Sequence, residues 1–318
     1  MSVKRNSYFN GWEKAIHATN AKLTAEQERL ILQAFQFNME DLIAKIAKSR
    51  DGFLPIKIYK DFAYDLYVIL NKIANEYTRK VVEETIDAQM LFVLQLLGGE
   101  GNATAGLYEN NIRMASSVYS QKVAELISRG GIYKDGKGLS QRIWKISNAA
   151  GKTVQQVVQQ GISSGQSAAQ MAQLLEQFVK PKARRNWDIN KIEQILGKTY
   201  ARNFQNLEYN ALRMARTTIS HAATASVRQW GKINPYAKKV QWHSVHAPGR
   251  TCQICIDLDG QIFDIDKCPF DHPNGLCYQT VYYDQDLESI ADELKEWVDG
   301  KPNEMLDEWY AQLNTKQS

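Results

Sequence analysis

All four cysteines of the 318-residue chain fall between Cys252 and Cys277, a short window that also holds His272. Two residues separate Cys252 from Cys255, sixteen more lead to His272, and a further four precede Cys277. Thiolates two residues apart on a turn can address one ion, and a second pair from a distant turn completes a tetrahedron. The spacing points to one structural zinc on Cys252, Cys255, His272 and Cys277. Cys268 is the competing ligand. It is followed by Pro269 and lies four residues before His272, which ranks the histidine above it, and an all-cysteine site with Cys268 and Cys277 as the second pair stays open. Three thiolates and an imidazole fill four positions and make the ion a poor Lewis acid, so stapling is expected rather than catalysis. Clustering this tight does not resemble a disulfide framework and fits metal binding in a reducing compartment.

Other residue types with chemical potential lie nearby. His243, His246 and Asp271 raise the possibility of a His-metal-finger nuclease, but that class wants a histidine after the last cysteine and none follows His272. HExxH, G-x-S-x-G and the deaminase H-x-E with P-C-x-x-C do not occur. Ser220 and His221 are adjacent, splay about 100° apart on a helix, and read as a surface pair. The loop Gly130 to Gly138 approaches the phosphate-binding pattern G-x-x-x-x-G-K-[ST], yet Gly138 replaces the hydroxyl residue and a helix precedes it where a strand should, so it reads as a glycine-rich loop. No catalytic residue and no cofactor other than zinc is assigned, and the chain is expected not to be an enzyme.

The elements that must position the cluster are mostly helical. Thr24 and Gln27 read as a capping box opening a helix over about 24–48, with Ile31, Phe35, Met39, Leu42 and Ile46 at helical spacing. Phe62, Leu66, Ile69, Ile73, Tyr77 and Val81 mark the longest helix, about 61–97; its apolar end, Met90 to Leu97, is too short to span a bilayer and reads as buried helix. Helices follow over about 108–128 and 139–160, the second ended by Gly161, and Ser167 with Gln170 caps another that Pro181 stops. Two more, about 188–197 and 200–231, lead to Gly231. Beyond Pro235 the pattern changes: 239–242, 261–263 and 277–283 are strand candidates, and helix returns over 287–310 with a break at Gly300-Lys301-Pro302.

The fold class expected is therefore mainly α. A helical N-terminal region spans 1–135, a helical core 136–235, a small α+β zinc-stapled module 236–283 and an acidic helical tail 284–318. A hydrophobic content of 44% suits a globular protein, and neither a secretory signal nor a membrane segment is expected. The net charge of +4 hides an asymmetry: residues 284–318 hold ten acids against three lysines, a net −7, leaving +11 for the remainder. Such a body is compatible with a polyanion partner. Lys180, Lys182, Arg184 and Arg185 in the basic linker, with Arg213 and Arg216 on the helix after it, are the nucleic-acid candidates, and Arg202 and Arg228 could contribute; the tail reads as a solvated helix.

Trp242, then Arg250-Thr251-Cys252-Gln253-Ile254-Cys255, then Leu258-Asp259-Gly260, then His272-Pro273-Asn274-Gly275-Leu276-Cys277 form an ordered series. Ala215-Arg216-Thr217 precedes it on a helix, and Gly161-Ile162-Ser163-Ser164-Gly165-Gln166-Ser167 stands further upstream. The series resembles the C-terminal signature of tailed-phage minor head proteins, the family named for the head-morphogenesis protein of phage Mu, over about 140–283. Gly275 and Leu276 depart from it, standing where the family often has Cys-Arg, and His246 stands near a usual aspartate. The resemblance implies a minor capsid protein of the virion. Such a protein enters the procapsid with the portal, is present in host cytoplasm during assembly, contacts head proteins and double-stranded DNA, and assists head assembly, packaging or ejection. Two rivals come from other classes: a metal-dependent nuclease or toxin-like effector with a related C-terminal module, and a nucleic-acid-binding regulator.

Overall fold

The computed structural model describes residues 2–48, 55–97, 103–179, 207–249 and 251–315. Those residues are mainly helical with one small sheet. The helices are α1 (Ser2–Ala47), α2 (Ile56–Leu96), α3 (Ala103–Ser128), α4 (Leu139–Ser163), α5 (Ala168–Val179), α6 (Tyr209–Ile233), α7 (Gln253–Leu258), α8 (Leu287–Val298) and α9 (Glu304–Thr315). The strands are β1 (Ala237–His243), β2 (Ile262–Asp264) and β3 (Tyr278–Tyr283). None of the described helices is long and apolar enough to cross a membrane.

Two compact units emerge. One comprises residues 25–75 and 137–215, the other 1–24, 76–136 and 216–318. In the first, Phe35, Met39, Leu42 and Ile46 of α1, Phe62, Leu66 and Leu70 of α2, and Val154, Val157 and Val158 of α4 are buried, as the apolar spacing requires. The α2/α4 contact needs a glycine: a Cβ on Gly151 would lie 2.8 Å from the Ala63 Cβ and 3.0 Å from the Tyr59 carbonyl oxygen.

The G-I-x-x-G-x-S turn between α4 and α5 now has a physical basis. Gly161 does not end α4 as expected; the helix runs on to Ser163, and Gly161 is buried, with space for a Cβ already filled by the Met171 sulfur. The stop is Gly165, at φ +82°. The Gly165 N–H donates to the Ile162 carbonyl and the Gln166 N–H to that of Gly161, the paired bonds of a Schellman motif. Ser167 then caps α5 as expected: its N–H donates to Gln170 Oε1 at 2.8 Å, and Gln170 N–H to Ser167 Oγ at 3.3 Å.

Thr24 and Gln27 form no such cap. α1 runs through both, with the Thr24 hydroxyl donating to the Asn20 carbonyl four residues back, the alternative open to a threonine inside a helix.

The second unit carries the antiparallel sheet, in the order β2-β1-β3. Val240 pairs with Phe263 on one side and Val281 on the other. An irregularity between Ala237 and Lys239 shifts the alternation, so that Ala237, Val240 and Trp242 all face inward. The acidic tail is not solvated all round. Leu287, Ile290, Leu294 and Trp297 of α8 and Leu306, Trp309 and Leu313 of α9 form a buried stripe, and the Trp297 indole N–H donates to Asp307.

Candidate metal centre

The cysteines leave β1 on a loop and enter α7, a short helix that the sequence did not suggest. Cys252 stands at its N-cap and Cys255 within its first turn, 2% exposed. Their sulfurs are 3.5 Å apart, close to the roughly 3.8 Å edge of a tetrahedron with metal–sulfur bonds of about 2.3 Å. The ligand atoms of Cys252, Cys255 and His272 lie within 4.8 Å of one another, and so do those of Cys255, Asp271 and Cys277. Cys255 is common to both groups, so the four residues expected from spacing converge around it. Cys268 belongs to neither group. Its segment is held elsewhere, by the Arg228 guanidinium donating to the Cys268 and Pro269 carbonyls at 2.6 and 2.8 Å while lying over the Phe270 ring. Burial pushes the Cys268 thiol up to about 11, against the pull of Arg228.

The donor set suits a metal. The His272 Nδ1 lies 3.2 Å from the Pro273 carbonyl; a carbonyl only accepts, so Nδ1 carries the proton and Nε2 keeps its lone pair for a ligand. Hydrogen bonds from the Cys255 backbone and side chain pull the Cys252 thiol below its ordinary value, and His272 adds to this. The Cys255 thiol is pushed up by burial and by its thiol neighbours. For His272, burial works against the charged form, but the Pro273 carbonyl, Asp271 and Cys252 outweigh it and raise the imidazole. Sulfurs so close compete for protons until a cation replaces them.

Asp271 is the residue that spacing did not single out as structural. Its side chain is 2% exposed. One carboxylate oxygen accepts from the His272 N–H at 2.8 Å, the other from the Cys277 N–H at 2.9 Å, so a single carboxylate sets the backbone at both distal ligands. It also explains the departure at Gly275, where a Cβ would sit 1.9 Å from Asp271 Oδ2. The carboxylate occupies the room that any side chain would need.

The same loop is fastened to α6. Arg216 donates to Asn274 Oδ1 at 3.0 Å, the Asn274 N–H donates to the Thr217 hydroxyl at 3.0 Å, and the His221 Nε2–H donates to the Asp271 carbonyl at 2.9 Å. Asn274 takes φ +72° to do this, a conformation asparagine tolerates. The Ala215-Arg216-Thr217 motif and the His-Pro-Asn motif are thus two halves of one clamp. His221 is buried, not a surface residue as the adjacent Ser220 suggested.

Of the remaining sequence candidates, His243 bonds to the Thr280 hydroxyl at 2.7 Å and stacks on Tyr278, as does His17 of α1. His246, at φ +50°, meets Asp259 at 2.7 Å. Neither joins the cysteine groups. Beside the ring stack, burial raises the Glu13 carboxyl to about 8 despite a hydrogen bond with Thr280. Among the nucleic-acid candidates, Arg213 is exposed, Arg216 serves the clamp, and Arg228 serves the Cys268 segment. Lys180, Lys182, Arg184, Arg185 and Arg202, with the helix expected over 188–197, lie outside the described residues.

Residues 152–278 match the model of a family described as phage Mu protein F like protein. No curated protein and no solved structure matches the chain. The matched stretch runs from α4 to the first residue of β3 and contains the turn, the clamp and every candidate ligand. Through that region the chain is similar to the phage Mu protein F-like family.

Proposed function

We propose that the protein is a structural, non-enzymatic minor head protein of a tailed phage, that it works at the portal during head assembly, and that a structural zinc staples its C-terminal module. Cys252, Cys255, His272 and Cys277 would hold the ion, and Asp271 would orient the backbone of the last two. The ion would supply cohesion to a module too small to rely on its core. The observation that carries the reading is the clamp: motifs more than fifty residues apart, all within the family match, converge on one loop through Arg216, Thr217, Asn274 and Asp271.

The reading includes a virion location, contact with other head proteins and, through the basic linker, contact with duplex DNA during packaging or ejection. Imaging of assembled particles tests it: the account expects density for this chain at the portal vertex, and incomplete or non-infectious heads when its gene is deleted. Normal assembly and infection without it would overturn the reading. So would magnesium- or manganese-dependent DNA cleavage by the purified chain that His243→Ala or His272→Ala abolishes, which is what the nuclease alternative requires. Tight, sequence-selective duplex binding would favour a regulator instead.

A further inference from the structure

We propose that the outer face of α2 and α4, in the unit of residues 25–75 and 137–215, binds single-stranded nucleic acid without sequence preference. This goes beyond the head-protein reading and uses none of its site residues. The inward stripe of α2 is Tyr59, Phe62, Leu66 and Leu70, all buried. Lys57, Lys60, Tyr64 and Tyr67 recur three or four residues apart on another face of the same helix, so they form a second stripe with no part in the core. Tyr64 is 57% exposed and Trp144 of α4 is 45% exposed.

These rings are organised. Tyr67 meets Trp144 edge to face at 5.4 Å, and Tyr64 lies 6.4 Å from Tyr67. The Ser140 hydroxyl donates to Asn71 at 2.8 Å and Gly151 lets the helices close, so the ridge stands on a fixed pair of helices. Lys57, Lys60 and Lys145 are exposed around it. Asp61 and Asp65 stand on the same helix beside these lysines, but α4 carries Arg142, Lys145 and Lys152 with no acid, so the paired helices are net basic.

Partly exposed aromatic rings beside lysines match the stacking platform and backbone contacts that hold a single strand. A duplex hides its base faces, so stacking on these rings selects an unpaired strand over a duplex.

Fluorescence anisotropy of the full chain with a labelled 20-nucleotide oligothymidylate and with a duplex of equal length tests this. Tyr64→Ala with Trp144→Ala should weaken strand binding about ten- to a hundredfold and leave duplex binding unchanged, with the far-ultraviolet circular dichroism intact. Lys57→Gln with Lys60→Gln should reduce the log–log salt slope for the strand by about 1.4. No strand binding, an unchanged strand affinity in the aromatic variant, or equal loss for strand and duplex would each overturn the proposal.

Discussion

The helical unit of residues 25–75 and 137–215 and the cysteine module of residues 237–283 are held by different physics. In the first, long amphipathic helices bury aliphatic side chains in quantity, and specificity enters at a few close approaches such as Gly151 against Ala63. In the second, three short strands and a six-residue helix bury few apolar side chains, chiefly Val240, Trp242, Ile265 and Val281. Directed contacts do the work there: one carboxylate bridging two backbone N–H groups, an asparagine in a left-handed conformation, and a buried Cys255 thiol shared by two groups of candidate ligands. Helices of this size tolerate a lost methyl group, whereas a module built from single contacts should fail when one is removed.

Substitutions can break or sharpen that contrast. The largest effect is expected from Cys255→Ser, which removes the sulfur common to both ligand groups. Bound metal should be lost, and hydrogen exchange should show residues 237–283 unprotected while α2 and α4 stay protected. Gly275→Ala should come next, at about 3 kcal/mol in denaturant unfolding, because the new methyl group overlaps the Asp271 carboxylate. Gly151→Ala places a methyl group less tightly, 2.8 Å from the Ala63 Cβ and 3.0 Å from the Tyr59 carbonyl oxygen, and although neither can move without the backbone the substitution gains helix propensity, so a net cost of about 2 kcal/mol is expected. If Gly151→Ala proved the more damaging, the contrast between the two regions would be wrong.

Glu13 offers a pH test on the sheet side. Its folded carboxyl titrates at about 8 against 4.5 ordinarily, so between those values the folded state holds a proton that the unfolded state has lost. Stability should therefore fall as pH rises from about 4.5 to 8. Glu13→Gln should flatten that slope in melting temperature, and an unchanged slope would show that the carboxyl is ionised in the fold. The smallest effect is expected from Ser167→Ala, about 1 kcal/mol or less, for the loss of one exposed cap.

The contrast also explains what could be read from the chain before its structure was known. Apolar periodicity located α2, because burial of one face writes itself into the residue pattern, and β-forming residues beyond Pro235 located the three strands. Cysteine spacing gathered Cys252, Cys255, His272 and Cys277, since ligands to one ion need few intervening residues. Thr24 misled because a capping side chain and a mid-helix hydroxyl bonding backwards have the same residue type. Asp271 and Asn274 were not legible as structural parts: their partners are backbone groups and residues some fifty positions away on α6, which no local pattern records. Gly275 carried a signal in its departure from the family, and the space taken by the Asp271 carboxylate supplies the reason.

The central claim is that the module is a closed metal staple of three sulfurs and one imidazole. X-ray absorption at the zinc edge on the purified chain, with metal content measured on the same sample, tests it most directly. The account predicts about one zinc per chain in a shell of three sulfurs near 2.3 Å and one nitrogen near 2.0 Å. A metal-free folded chain, or a shell containing oxygen from Asp271 or water, would contradict it.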